Sequence, residues 1–260
     1  MKVTPTAHYP GLEGRVAIVT GGGQALGRAY ALHLAAQGAI PVIAEFNAEA
    51  GARVAKEVED AGGTALFVAT DVGAAASVNE MTRRTLARFG RIDILINNAA
   101  LFSKITLAPF WELPAEEWER AMQVNVTGAF HCARAVVPAM QAAKWGRIVN
   151  IASGTPLIGL PNYLHYITSK SAVFGMSRSM ARELGAWNVT VNTFIPGVTK
   201  TEVERPSVSD EKFAGYVQMQ CLKRMSTPGD MAKVMVFLCS DEAAWITGQT
   251  ILADGGLNFT

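Results

Sequence analysis

Short apolar runs alternate with longer amphipathic stretches along most of this chain. The run at 15–20, RVAIVT, is rich in β-branched residues and ends in a glycine cluster, the pattern of a strand entering a tight turn. Similar runs at 40–44, 65–70, 92–96, 147–152, 189–195 and 250–253 predict further strands. Apolar residues at helical spacing occupy 26–37, 48–61, 78–89, 116–143, 166–184 and 229–239, with Pro138 a candidate kink in the longest. This alternation predicts an α/β fold: a doubly wound parallel sheet of about seven strands with helices on both faces. No linker or repeat divides residues 1–260, so one domain is expected. The irregular stretches are 101–113 and 199–225. The second reads either as a substrate cover or as a helical insert packed on the body.

Composition narrows the function classes. Half of the 260 residues are hydrophobic, enough for a sizeable core, and the formal net charge of +1 offers nothing broad to nucleic acid or an anionic membrane. Three cysteines without a CxxC pair argue against a disulfide framework. No apolar run approaches spanning length and the N-terminal residues lack a signal core, so a cytoplasmic protein is expected. The four histidines form no metal-ligand motif, and no metal is expected. Ser153 lacks the GxSxG elbow of a hydrolase.

The turn after the first strand, Thr20-Gly21-Gly22-Gly23-Gln24-Ala25-Leu26-Gly27, carries the first candidate chemistry. Gly21 can adopt a backbone angle closed to other residues, and Gly27 permits close approach of the new helix. The helix start presents unpaired amides and a positive dipole end, where a pyrophosphate would sit. A glycine-rich turn that binds nothing has the same local pattern, and the spacing is not GxGxxG. Glu45, after the second strand, occupies the region of an acid that holds ribose hydroxyls, although a helix cap also fits. Asp71, after the third strand, suits an adenine edge or a simple turn.

Tyr166 and Lys170 are four residues apart on a predicted helix and share a face. An ammonium near a phenol favours the phenolate, which suits proton transfer to and from an alcohol oxygen. Ser153, at the end of the fifth strand, is placed to bind a substrate oxygen or to form an ordinary turn. Asn125 reads as an organiser of backbone and water hydrogen bonds or as a structural polar group. His165 is adjacent to Tyr166 but faces elsewhere on a helix, so it is not expected to be the base.

These pieces together resemble the short-chain dehydrogenase/reductase family. The matching segments are TGGGQALG from Thr20, Asp71-Val72, NNAA from Asn97, VNVTG from Val124, Ser153, YITSK from Tyr166, PGVTKT from Pro196 and ITGQTILADGG from Ile246. The resemblance spans roughly 12–260 and implies a Rossmann-like, NAD(P)-binding domain. It implies that Asn125 supports Lys170 through a water relay, that Ser153 orients substrate, that Tyr166 is the acid–base and that Lys170 contacts ribose. The cofactor would lie against Gly21, Gln24, Leu26, Gly27, Glu45, Phe46, Asp71, Val72, Asn98, Ala99, Pro196, Gly197, Val198 and Thr201. Ala25 and Ala100 stand where the family usually has glycine, and Ala152 where it often has serine.

The expected activity is hydride transfer between NAD(H) and a secondary alcohol or ketone. NAD is expected over NADP because Glu45 would face the 2′-phosphate and is followed by Phe46 and Asn47 rather than a cation. The alternatives are an NADPH-dependent ketone or 3-oxoacyl reductase and, in another class, a nonenzymatic nucleotide sensor. An apolar pocket of Ser153, Thr155, Leu157, Tyr166 and residues after Gly197 is expected to take a small-molecule alcohol or carbonyl. The resemblance also implies a homo-oligomer, often a tetramer, with the helices of Asn125 and Tyr166 at one interface and the C-terminal segment at another.

Overall fold

The computed structural model describes residues 3–102, 105–203 and 209–259. The chain runs β1 (Val16–Thr20), α1 (Ala25–Ala35), β2 (Ile40–Glu45), α2 (Ala48–Asp60), β3 (Leu66–Ala69), α3 (Ala75–Phe89) and β4 (Ile94–Asn97). It continues through α4 (Ala115–Met122), α5 (Gly128–Ala143), β5 (Gly146–Ile151), α6 (Thr155–Ile158) and α7 (Leu164–Leu184). The last elements are β6 (Val189–Pro196), α8 (Asp210–Met219), α9 (Pro228–Cys239) and β7 (Thr250–Ala253).

All seven strands are parallel, in the order β3-β2-β1-β4-β5-β6-β7. Alternation along each strand divides its side chains between two cores. Ala17 and Val19 of β1 join Ile94 and Ile96 of β4 in a layer under α1, α2 and α9, which contribute Leu34, Val54 and Met235. Val16 and Ile18 join Leu95 and Ile148 in the opposite layer, closed by Met81, Val136 and Leu184 of α3, α5 and α7. Coverage on both faces explains why the strands read as continuous apolar runs instead of alternating ones. Strand order reverses at β1, which has β2 on one side and β4 on the other. The loops after β1 and β4 therefore diverge around a crevice at the carboxyl edge, where ligands of such sheets bind.

The expected single helix at 116–143 is divided. A π-turn at Gln123–Thr127 separates α4 from α5. The irregularity falls around Asn125, whereas α5 runs through Pro138. The 199–225 stretch contains α8, so it is partly a helical insert. Residues 204–208 of that stretch, and 103–104 of the other irregular one, lie outside the described residues. Among the described residues no helix is long and apolar enough to cross a membrane.

Candidate active site

The glycine turn is held from beneath by the exit of β4. Thr20 Oγ1 accepts hydrogen bonds from the Asn98 and Ala99 amides, both at 3.0 Å, and donates to Ile96 O. Asn98 Nδ2 donates to the carbonyls of Thr20 and Gly21. Gly21 has φ +62°, and a Cβ there would come within 2.9 Å of Ala99 Cα. At Gly27 a Cβ would meet Gly21 O and Asn98 Nδ2. The cradle is thus backbone that side chains would fill, which fits a pyrophosphate and the close approach of α1. Ala25, in the position usual for glycine, adopts φ +48°, a left-handed angle unfavourable for a residue with a Cβ. Its N–H donates to a Glu202 carboxylate oxygen at 2.8 Å.

Glu45 closes the next part of the cleft. Its two carboxylate oxygens accept from the Gly23 and Asn47 amides, each at 3.0 Å. A Cβ on Gly23 would approach Glu45 Cγ to 2.7 Å, so glycine is required for this contact. One lone pair per oxygen is used, and the others are free for hydroxyl donors. Arg28 is engaged by a bidentate pair with Glu57, its Nε donating to Oε1 at 3.2 Å and its Nη2 to Oε2 at 2.6 Å. Arg53 donates to Gly23 O at 3.1 Å. Asp71 Oδ1 accepts from Gly73 N, so it does form a turn, while also lining the cleft with Val72.

A cleft of about 1050 Å³ connects these groups to Ser153, Tyr166 and Lys170. That is ample for an extended ligand. Lys170 is 3% exposed, donates to Ile151 O at 2.8 Å, and burial pushes its pKa down to about 8. Tyr166, one turn earlier on α7, lies beside Phe102, with ring centroids 4.6 Å apart. Ser153 Oγ accepts from Thr155 N at 3.2 Å and from Thr155 Oγ1 at 3.1 Å. The π-turn turns Asn125 toward the loop after β4. Its Oδ1 accepts from Leu101 N at 2.7 Å, and its Nδ2 donates to Leu101 O and to Ser169 Oγ. Ser169 in turn donates to Tyr166 O. Asn125 therefore braces the Phe102 segment against the helix of Tyr166 from behind the cleft wall.

A family model described as enoyl-(acyl carrier protein) reductase matches residues 21–258. The chain is 35% identical over 245 residues to the 3-oxoacyl-[acyl-carrier-protein] reductase of Escherichia coli, covering 94% of this chain and 98% of that protein. The chain belongs to the short-chain dehydrogenase/reductase family. A short-chain dehydrogenase/reductase from Serratia marcescens superposes with a TM-score of 0.87 at 31% identity, covering 95% of this chain and 99% of that one. A Sinorhizobium meliloti structure described as a short-chain alcohol dehydrogenase gives 0.89 at 34% identity, covering 95% and 98%. As a family member the protein is an NAD(P)(H)-dependent oxidoreductase of carbonyl and alcohol substrates.

Within this short-chain dehydrogenase/reductase fold, the cleft wall includes Gly21, Gln24, Leu26, Gly27, Phe46, Asn98, Ala99, Pro196, Gly197 and Val198. Thr201 is not part of that wall; its hydroxyl accepts from Val203 N, and Thr199 and Val203 face the cleft instead. Leu157, expected in the pocket, is not part of the wall, where Ile158 and Leu160 stand instead. His165 is fully buried, has neither ring nitrogen hydrogen-bonded, and does not line the cleft.

Several lining residues escaped the sequence reading. Phe102, Tyr163 and Tyr216 arrive from three separate elements, and no local pattern announces them. Leu257 and Asn258 come from the C-terminal tail, which Asp254 folds by accepting from the amides of Gly256, Leu257 and Asn258. An aspartate before two glycines, here with φ +71° and +76°, is a legible turn signal. Its position beside the site depends on β6 and β7 being neighbours.

Proposed function

We propose that this protein transfers a hydride between NAD(H) and a secondary alcohol or ketone, with Tyr166 as the acid–base group. The observation that carries the reading is the convergence of Tyr166, Ser153 and buried Lys170 on the cleft that also holds the glycine cradle and Glu45. Gly21, Gln24, Leu26 and Gly27 would hold the pyrophosphate, Glu45 and Phe46 the adenosine ribose, and Asp71 and Val72 the adenine. Asn98, Ala99, Pro196, Gly197 and Val198 would flank the nicotinamide, and Lys170 its ribose. When bound, the nicotinamide gives or takes the hydride. In reduction, Tyr166 gives its phenolic proton to the substrate oxygen as that oxygen gains charge, and Ser153 holds the same oxygen. The Lys170 ammonium favours the phenolate that remains. Oxidation reverses the proton path. Asn125 would brace the Leu101 backbone and, through Ser169, the helix that carries Tyr166 and Lys170.

Wild type and Tyr166→Phe are assayed by nicotinamide absorbance against a panel of alcohols, ketones and 3-oxoacyl thioesters. The expected loss in Tyr166→Phe is on the order of 10²–10⁴-fold in turnover, with cofactor binding retained. Near-normal turnover in that variant would sink the assignment.

A second reading, NADPH-dependent reduction of a 3-oxoacyl thioester, is favoured by the Escherichia coli relative's name, and the matched family model's description also names a reductase of acyl-carrier-protein thioesters. Arg53, which donates to Gly23 O, supplies a cation at the glycine turn for such a reading. The same panel, run with both cofactors, separates the two. We also propose that 199–225 covers the substrate, since Thr199, Val203 and Tyr216 line the cleft. A homotetramer is proposed from exposed Phe130 and Leu164 on α5 and α7 and exposed Trp245 and Phe259 near β7; light scattering counts the copies.

A further inference from the structure

Ser153 has its oxygen lone pairs committed before any substrate arrives. Thr155 begins α6, and its backbone N–H, which can only donate, points at Ser153 Oγ from 3.2 Å. The Thr155 hydroxyl donates to the same oxygen from 3.1 Å. A serine hydroxyl has two acceptor positions and one hydrogen. With both acceptor positions filled, the hydrogen is the only polar feature Ser153 can offer to the cleft, which Ser153, Thr155 and Tyr166 all line.

We propose that Thr155 is a positioning residue that fixes Ser153 as a hydrogen-bond donor to the substrate oxygen. The inference rests on the proposed oxidoreductase reading and concerns the polarity of one bond within it. A carbonyl oxygen accepts and never donates. A serine whose hydrogen turned toward Thr155 would present lone pairs to that oxygen, which is repulsive where charge develops. The Thr155 amide cannot accept that hydrogen, and the Thr155 hydroxyl, by donating to Ser153 Oγ, holds the same polarity. Donation from Ser153 strengthens as the carbonyl oxygen becomes alkoxide-like, so the effect belongs to turnover more than to ground-state binding.

The test compares Thr155→Val, which keeps the branched shape without the hydroxyl, with Thr155→Ser, Ser153→Ala and the Ser153→Ala/Thr155→Val double variant. Thr155→Val is expected to lower kcat about fivefold, the worth of one ordinary hydrogen bond, with KM and cofactor Kd within about twofold of wild type. Thr155→Ser restores turnover. In the Ser153→Ala background the valine has almost no further effect, because the group it orients is gone. Wild-type kcat in Thr155→Val, failure of the serine to restore it, or an equal loss in the Ser153→Ala background would each overturn the proposal. Thermal unfolding of each variant separates a disordered α6 from a lost hydrogen bond. Absence of turnover in the unsubstituted protein overturns the underlying reading and this inference together, whereas active wild type with an indifferent Thr155 overturns this one alone.

Discussion

Glu45 illustrates how one carboxylate acquires two roles from its neighbours. Its oxygens fasten the Gly23 and Asn47 amides, which sets both the glycine turn and the start of α2. Glu45 also lines the cleft, where its remaining lone pairs would suit a ribose diol and oppose a phosphate. Arg28, the cation nearest in sequence to the turn, is neutralised by Glu57 and offers no compensation. Measured as the ratio of kcat/KM with NAD(H) to that with NADP(H), wild type is expected to favour NAD(H). Glu45→Ala should reduce that ratio by about tenfold or more, since hydrogen bonds to a charged group are worth roughly 1.5–3 kcal/mol. Adding Phe46→Arg should reduce it further. An unchanged ratio after removing Glu45 would show that the carboxylate serves the turn alone. At this scale the polar residues were legible, because Glu45, Ser153, Tyr166 and Lys170 sit at fixed places relative to strand ends and one another. The aromatic wall was not, because Phe102, Tyr163 and Tyr216 meet only after distant segments pack.

Among the elements, α1 and the π-turn show where local pattern ends. The start of α1 was legible from the glycine turn, but the contact at its first amide was not. Ala25 N–H is already engaged by Glu202, which lies 177 residues away in sequence. That carboxylate also acts on Arg28, raising its pKa alongside the larger effect of the Glu57 hydrogen bond. An anion on the first amide of a helix is stabilised by the amide and the dipole end together. A pyrophosphate seated on the same amide must displace it. Glu202→Gln should therefore bind NAD(H) several-fold more tightly in a fluorescence titration, through loss of charge repulsion of about 1 kcal/mol. Equal or weaker binding would mean that Glu202 leaves the phosphate position undisturbed. The π-turn was hidden for a similar reason. Apolar spacing runs smoothly through 116–143, and the extra residue in the turn follows from the bonds between Asn125 and Leu101. Such turns recur where a helix must aim a functional group.

For the whole molecule, the seven-strand alternation was legible because the central strands β2, β1, β4, β5 and β6 are buried on both faces and the long helices packed on them carry apolar stripes. The reversal of strand order at β1 has no local signature, and it follows from right-handed crossovers that must cover both faces. The same two-sided closure buries Lys170 at the end of β5, and its energetic consequence is global. Burial lowers the Lys170 pKa from 10.5 to about 8, so at neutral pH the folded protein retains a charge that its surroundings disfavour. Between pH 8 and 10.5 the unfolded chain holds this proton and the native state does not. The unfolded state then binds more protons, and stability from this residue rises with pH across that window. Below pH 8 both states are protonated and the penalty is present in full. Lys170→Met removes the titration while keeping an unbranched side chain; with both proteins also carrying Tyr166→Phe, so that the phenol coupled to Lys170 is absent, the other ionisable groups cancel in the comparison. Thermal unfolding of both proteins without cofactor is expected to show the protein with Lys170 gaining on the Lys170→Met variant from pH 8 to 10.5, by roughly 5–10 °C for a penalty on the order of 3 kcal/mol. A difference that stays flat across this range, or moves the opposite way, would mean that the native lysine keeps its proton as readily as the unfolded one. The charge that Tyr166 is proposed to use would then be an ordinary solvated one.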